Sequence, residues 1–306
     1  MSIMNLIGAM PGTFAQGLIW GIMAIGVYIT FRILDIADLT VDGTLCTGGA
    51  VCIMALMSGK NVWVALLLAL IAGMLAGLAT GFLHTFMGIP AILAGILTQL
   101  GLYSVNLKIM GKSNQAINVD QFDLLVSLRY IKGVSFVKNT LFIVSVLIIV
   151  LIVILYWFFG TELGSSIRAT GCNAKMARAQ GINTSFNRVL GLMISNGLVA
   201  FSGALLCQYQ GFADINMGRG AIVIGLAAVI IGEAIFGKLF RNFGLKLLAV
   251  GLGSIIYYMV LQVVIWLGID TDLLKLLSAC VVAIFLAVPT LKSRYFAKPV
   301  KRGGDK

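Results

Sequence analysis

Residues 161–188, TELGSSIRATGCNAKMARAQGINTSFNR, form the one long polar and basic stretch in an otherwise apolar chain. We call this stretch the basic island. On both sides of it, apolar runs recur with lengths of about 20 residues or more, enough to cross about 30 Å of hydrocarbon as an α-helix. The 306 residues are 60% hydrophobic and 11% charged, with a mean hydropathy of +1.04, which is too apolar for an ordinary soluble domain. The sequence therefore predicts an all-α polytopic membrane protein whose island is folded outside the lipid.

The apolar runs predict about nine membrane-spanning helices (about eight to ten), arranged as a single transmembrane domain over residues 1–306. Their boundaries fall near 12–32, 37–58, 62–86, 89–108, 138–160, 187–209, 217–237, 243–267 and 272–290.

The basic residues predict which side of the membrane each connection faces. The tail, residues 291–306, holds six Lys and Arg residues against one Asp, so we place it in the cytoplasm. Counting back along the spans places the basic island (161–188) and the 238–246 turn in the cytoplasm too, with the N-terminus outside. Topology thus explains the net charge of +11, and nucleic acid is not an expected partner.

The connection over residues 109–137 falls outside on this topology. Within it, VDQFDLLVSLRYI (119–131) has apolar residues at roughly helical spacing, which predicts an interfacial helix on the outer surface. Two interpretations remain open: a docking surface for an external partner, or a lid that lies on the membrane.

Two similar motifs suggest an internal repeat. DLTVDGT (38–44) opens the second span and DINMGRG (214–220) opens the seventh, and each follows a long apolar span that ends in a polar stretch. On the predicted topology the two copies enter the membrane from opposite faces. The sequence therefore predicts an inverted repeat of about four spans, an arrangement that builds substrate paths from broken helices.

Glycines recur on one face of the third span. Gly73, Gly77 and Gly81 are spaced four residues apart, which lets a second helix approach closely.

Acidic residues within apolar segments mark candidate sites on a solute path, since an ionisable group at a helix centre costs about 2.5–3.5 kcal/mol on insertion scales. Asp38, Asp42, Asp214 and Glu233 are at or within such segments. Asp42, with neighbouring threonines, is the strongest candidate; its alternative role is to satisfy a helix N-terminus, and both roles can coexist. The predicted path residues are Thr40, Asp42, Thr44, Thr47, Gln99 and Asn196. For the last two, helix-to-helix hydrogen bonding is the alternative.

The sequence offers no support for enzyme chemistry. His84 is the only histidine, the five cysteines show no paired or metal-ligand spacing, and no GxxxxGK[ST] loop occurs. We expect no catalytic residue, no metal and no cofactor in this chain. Any ATP and Mg²⁺ would be bound by another subunit.

The basic island is predicted to form two short helices. Asn173 can cap a helix over residues 174–180, with Gly181 as its stop. Arg168, Lys175 and Arg178 would then lie on an exposed surface that docks a soluble partner. The alternative is that these cations only set membrane topology.

The run RATGCNAKMARAQGI (168–182) resembles the coupling-helix region of ABC-importer permeases of the branched-chain amino acid and ribose type. SGALLCQYQGFADINMGRG (202–220) also resembles that family, and the similarity extends over residues 10 to 290. More narrowly, ILDIADLTVDGTLCTGGA (33–50) is similar to permeases of tryptophan/tyrosine transport systems.

The resemblance implies a multi-pass protein of a bacterial inner membrane that imports a small amino acid-like, aromatic solute. It implies a homodimer of permeases, two ATP-binding subunits, an external substrate-binding lipoprotein, and a bundle similar to the vitamin B12 importer permease with its inverted repeat. The residues that inherit the ATPase-coupling role are Arg168, Asn173, Lys175, Arg178 and Gly181. The alternatives are a permease for a nucleoside or simple sugar, a secondary transporter with inverted repeats, and a passive channel.

Overall fold

A computed structural model describes residues 3–117, 121–122, 124–131 and 139–268, together with single positions and short runs between 273 and 287. Most of the ninth predicted span (272–290), the whole basic tail (291–306) and parts of the 109–137 connection lie outside the described residues.

Ten α-helices carry the described part of the chain. They are α1 (Ile3–Tyr28, continued by a π-helical turn at Ile29–Ile33), α2 (Val41–Met57), α3 (Val62–Thr85), α4 (Ala91–Met110), α5 (Thr140–Gly160), α6 (Glu162–Cys172), α7 (Ala174–Ala179), α8 (Thr184–Gln210), α9 (Ala221–Phe236) and α10 (Phe243–Trp266). A 3₁₀ turn spans Leu128–Ile131.

Each of the first eight predicted spans overlaps one of these helices, and α1, α4 and α8 extend beyond the predicted bounds. Among the described residues, six helical stretches are long and apolar enough to cross a membrane, whereas α2 and α9 are apolar but have only 17 and 16 residues. The predicted count of nine spans is therefore not confirmed. The repeated motifs lie at the starts of these two short helices, α2 and α9.

The described chain is mostly helical, as the predicted all-α class requires, with one short strand pair that the sequence did not predict. Strands β1 (Asn114–Ala116) and β2 (Phe212–Asp214) pair antiparallel, with Asn114 opposite Asp214 and Ala116 opposite Phe212. The strands follow the ends of α4 and α8. Their pairing gives hydrogen-bond partners to backbone groups that are no longer part of a helix. The interfacial helix predicted around 119–131 is represented among the described residues by the 3₁₀ turn alone.

Two sets of three helices, α1–α3 and α8–α10, form the core, and the second set is inverted relative to the first. Hydroxyls of α8 donate to carbonyls of α1 in antiparallel order: Tyr209 to Gly12, Ser202 to Ile19 and Ser195 to Gly26, at 3.0, 2.7 and 2.7 Å. The third helix of each set packs against the first helix of the other, so that α3 lies on α8 and α10 lies on α1. These contacts support the predicted inverted repeat.

The glycine face of α3 is confirmed as a close helix contact. A Cβ at Gly77 would collide with the carbonyl oxygen of Leu192, and one at Gly73 with that of Asn196. On the opposite pair, Ser254 of α10 donates to the Gly17 carbonyl at 2.7 Å. Small residues thus allow both pairs of backbones to approach.

The bundle has two distinct ends. We call the end that holds α6, α7 and the 237–242 turn the basic end. Four cations lie close together there: Arg32 of the π-helical turn, Arg168, Arg241 and Lys246. We call the end with β1 and β2 the strand end. The basic island and the 238–246 turn therefore share one end of the molecule, as the topology prediction requires.

Candidate functional site

A buried polar network lies where α2 begins inside the bundle. Asp38 Oδ1 accepts a hydrogen bond from the Thr40 N–H at 2.9 Å, and Asp38 Oδ2 accepts one from Asn196 Nδ2 at 2.6 Å. The Thr44 hydroxyl donates to Asn196 Oδ1 at 2.7 Å. Asp38 is 3% exposed, and Thr44 and Asn196 are 0% exposed, so each polar group depends on its partners instead of water.

A chain of three hydroxyls extends this network across α3 to α4. Thr40 Oγ1 lies 2.7 Å from Thr80 Oγ1, and Thr80 donates to Thr98 Oγ1 at 3.0 Å. The network therefore joins the start of α2 to α3, α4 and α8. It meets α8 at Asn196, near the middle of that helix.

Asp42 caps the N-terminus of the second short apolar helix, α9. Its Oδ2 and Oδ1 accept hydrogen bonds from the backbone N–H groups of Gly220 and Ile222, both at 3.0 Å. These donors belong to the first turn of α9, where backbone N–H groups have no partner within the helix. Asp42 thus caps α9 from α2, which is the helix-terminus role that the sequence left open.

The two repeated motifs make equivalent hydrogen bonds. As in Asp38, one carboxyl oxygen of Asp214 accepts from the N–H two residues on, that of Asn216, at 2.7 Å. The other oxygen accepts from the side-chain amide of Asn114 at 3.3 Å. The motifs also touch, since a Cβ at Gly218 would collide with the carbonyl oxygen of Asp42. The Gly218 N–H donates to Cys46 Sγ, two residues beyond the first motif, at 3.2 Å.

The predicted path residues are only partly brought together. Thr40, Thr44 and Asn196 share the buried network, whereas Asp42 faces α9. Thr47 donates to the Gly43 carbonyl of its own helix at 3.0 Å. Gln99 is half-buried on α4, with its Cα close to Gly43.

The path prediction omitted Asp38 and Thr80, both of which belong to the network. The Asp-x-Thr order at 38–40 is a signal for the turn that Asp38 makes. Thr80 had a weaker signal, its position next to the glycine face of α3.

The basic island folds as predicted into two short helices. Asn173 Oδ1 accepts from the N–H groups of Lys175 and Met176, both at 3.1 Å, and Gly181 has a φ of 81° after the last turn of α7. Ala177 is buried and holds α7 to the bundle, while Lys175 and Arg178 are exposed. Of the predicted coupling residues, Arg168 alone faces α10, with its guanidinium 5.5 Å from the centre of the Phe243 ring.

Glu233, which the sequence marked as an acid in an apolar segment, has a partner on α1. Its Oε1 accepts a hydrogen bond from Arg32 Nε at 2.9 Å, with side-chain exposures of 31% and 57%. This ion pair links the ends of α1 and α9 at the basic end. Within the described ranges, no three His, Cys, Asp or Glu side chains come together as a metal site would require.

The short helices α2 and α9, the inverted sets and the exposed island are the architecture expected of a membrane transport subunit, and sequence comparison assigns its family. Residues 10–287 match the family model described as the branched-chain amino acid transport system permease component, and the chain belongs to this family.

Relatives and a solved structure extend this assignment. The chain is 40% identical over 283 residues, 90% of each chain, to the tyrosine transport system permease protein of Clostridioides difficile (strain R20291). It is 29% identical over 226 residues to the autoinducer 2 import system permease protein LsrC of Yersinia pestis (strain Pestoides F), covering 72% of this chain and 60% of that one. PsaBC from Streptococcus pneumoniae in complex with Fab has a similar fold, with a TM-score of 0.53, 17% identity and 98% coverage of both chains.

Proposed function

We propose that this protein is the permease subunit of an ATP-driven importer that moves an aromatic amino acid, tyrosine or tryptophan, into the cell. The assignment of the cargo rests on the 40% identity, over 90% of each chain, to a tyrosine transport permease. The chain itself performs no catalysis on this proposal; a partner subunit binds ATP and Mg²⁺ and hydrolyses the nucleotide.

The basic end faces the cytoplasm on this proposal, and α7 is the element that receives the ATP-binding subunit. In support, α7 is held at both ends by its own caps, and Lys175, Met176 and Arg178 project from it. A topology signal alone requires cations but no capped helix. Two permease copies, two ATP-binding subunits and an external substrate-binding lipoprotein complete the assembly.

The solute passes near the start of α2, close to Thr40, Asp42, Thr44, Thr47, Gln99 and Asn196. Two observations support this part of the proposal. The short helix α2 begins inside the bundle, as the broken helices of transporters do at their substrate sites, and the short helix α9 begins against α2, where Asp42 caps it. The network at Asp38 also brings carboxyl, hydroxyl and amide groups from the start of α2, α3, α4 and α8 together in the interior of the bundle.

A second cargo is favoured by one observation. Relatives of this chain include a permease for a different solute, autoinducer 2, so the alternative is a permease of the same class for a nucleoside or simple sugar. Uptake of labelled tyrosine, with unlabelled tryptophan, adenosine and ribose as competitors, distinguishes the cargoes.

Charge reversal on α7 tests the docking surface. In the complete transporter, K175E/R178E is expected to lower ATP-dependent uptake at least about tenfold, since reversing two charges at a docking surface replaces attraction with repulsion. The ATP-binding subunit is expected to be lost from the purified complex.

The matched control is K60E/K112E, which reverses two exposed charges at the strand end and should retain the ATP-binding subunit in the purified complex. Normal uptake and a retained ATP-binding subunit in K175E/R178E would contradict the docking role. Uptake that survives removal of the ATP-binding subunit but collapses with the proton gradient would instead identify a secondary transporter.

A further inference from the structure

A cavity with a strongly positive lining opens at the basic end. It has a volume of about 410 Å³ and lies between the π-helical turn of α1, α6, α9 and the start of α10. Four cations line it: Arg32, Arg168, Arg241 and Lys246. Glu233 is the sole acid among the described residues of the lining, and its Oε1 already accepts a hydrogen bond from Arg32. Four cations and one acid leave a formal charge of +3.

A second cavity continues the first toward the outer surface of the bundle. It has a volume of about 670 Å³ and shares Arg168, Arg241 and Phe243 with the first cavity. Its remaining walls come mainly from the end of α5, where Val153 and Trp157 are 61% and 71% exposed. Since α5 is apolar along its length and Trp157 and Tyr156 stand at its end, this wall has the composition of a helix end at the membrane interface.

The combined shape selects for a ligand with one anionic group and an apolar body. Two guanidinium groups, on Arg168 and Arg241, lie on the shared wall, and guanidinium groups suit phosphate because they donate two hydrogen bonds in one plane. Basic pockets between membrane helices on the cytoplasmic side bind anionic headgroups in general. A free phosphate would use the cations but leave the apolar wall of α5 unused.

We propose that an anionic phospholipid binds here, with its phosphate among Arg168, Arg241 and Lys246 and its acyl chains along Val153 and Trp157. The lipid connects α6 to the first turn of α10, and α6 leads directly into α7 through Asn173. The bound phosphate therefore holds the docking element against the transmembrane bundle. Lipid binding itself does not depend on which solute is transported.

Native mass spectrometry of the purified full chain in neutral detergent tests the site. Phosphatidylglycerol is expected to bind more tightly than phosphatidylcholine. R241Q/K246Q is expected to weaken phosphatidylglycerol binding at least about tenfold, because each cation near an anionic headgroup contributes a several-fold factor in affinity. The matched control is K175Q/R178Q, which removes two charges from the same end but outside the cavity, and should retain binding.

E233Q guards against a variant that merely fails to fold. It removes the one negative charge of the lining, so phosphatidylglycerol should bind more tightly, and a misfolded protein would not give that result. Equal binding of the two lipids, equal loss in both double variants, or weaker binding in E233Q would overturn the proposal.

Two further outcomes would reassign the site. If soluble glycerol 3-phosphate binds as tightly as phosphatidylglycerol, the site accepts a free phosphate group and not a lipid. If the ATP-binding subunit displaces phosphatidylglycerol and cross-links to R241C, the cavity accepts an acidic protein surface. Either result would overturn the lipid proposal.

Discussion

Asp42 belongs to the first turn of α2, yet its carboxyl group completes a different helix. The N–H groups that it accepts from lie on Gly220 and Ile222, about 180 residues later in the chain. A carboxyl group in this position satisfies two half-buried backbone donors in the first turn of α9, which have no acceptor within that helix. The residue therefore has a structural role regardless of whether the solute touches it.

The structural role of Asp42 predicts a loss of stability in D42A. Removal of a side-chain cap costs about 0.5–2 kcal/mol, so D42A should lower the unfolding midpoint in detergent, and D42N, which keeps one acceptor, should lower it less. T47V is the control, because the Thr47 hydroxyl bonds only to a carbonyl of its own helix. An unchanged midpoint in D42A, with a raised KM for the solute, would mean that Asp42 contacts the solute and contributes little as a cap.

Helix pairing is governed by the smallest residues in the chain. Between α3 and α8, a Cβ at Gly77 has no space because the Leu192 carbonyl occupies it, whereas a Cβ at Gly101 of α4 meets nothing within 4 Å. The two glycines thus have opposite consequences when a side chain is added.

G77L is expected to destabilise the protein by about 1–3 kcal/mol or more, because overpacking forces the two backbones apart. G101A should be neutral or stabilise by up to about 1 kcal/mol, because alanine favours the helix over glycine. Thermal unfolding of both variants in the same detergent checks the difference. Equal midpoints would show that α3 and α8 are not packed at Gly77 in the native protein.

At the scale of elements, the sequence predicted what depends on local pattern. Apolar runs predicted eight of the ten α-helices in the described part, and Asn173 and Gly181 predicted both ends of α7, because hydropathy and capping act between near neighbours. The π-helical turn, the β1–β2 pair and the Arg32–Glu233 ion pair were not predicted. Each of the last two joins segments that are far apart in the chain, and no local pattern reports which distant segment a given residue meets.

The orientation of the whole molecule in the membrane depends on which side the basic end faces, and a native cysteine can test that side. Cys172 is exposed at the end of α6, whereas Cys46, Cys52 and Cys207 are buried. A membrane-impermeant maleimide should label Cys172 in inside-out vesicles and not in intact spheroplasts, in a C280S background that removes the other exposed cysteine of the described residues. K60C/C172S/C280S is the control at the strand end and should give the reverse pattern. Labelling of Cys172 in intact spheroplasts would place the basic end outside and exclude an ATP-binding subunit at α7.

The hydroxyl contacts between α1 and α8 restrict how the molecule can change shape. Tyr209, Ser202 and Ser195 bind α1 carbonyls at points two helical turns apart, or about 10 Å. A longitudinal slide of one helix against the other would break all three bonds together, which opposes such a slide. We therefore expect α1 and α8 to keep their register during transport, and the larger displacements to occur among the helices around them.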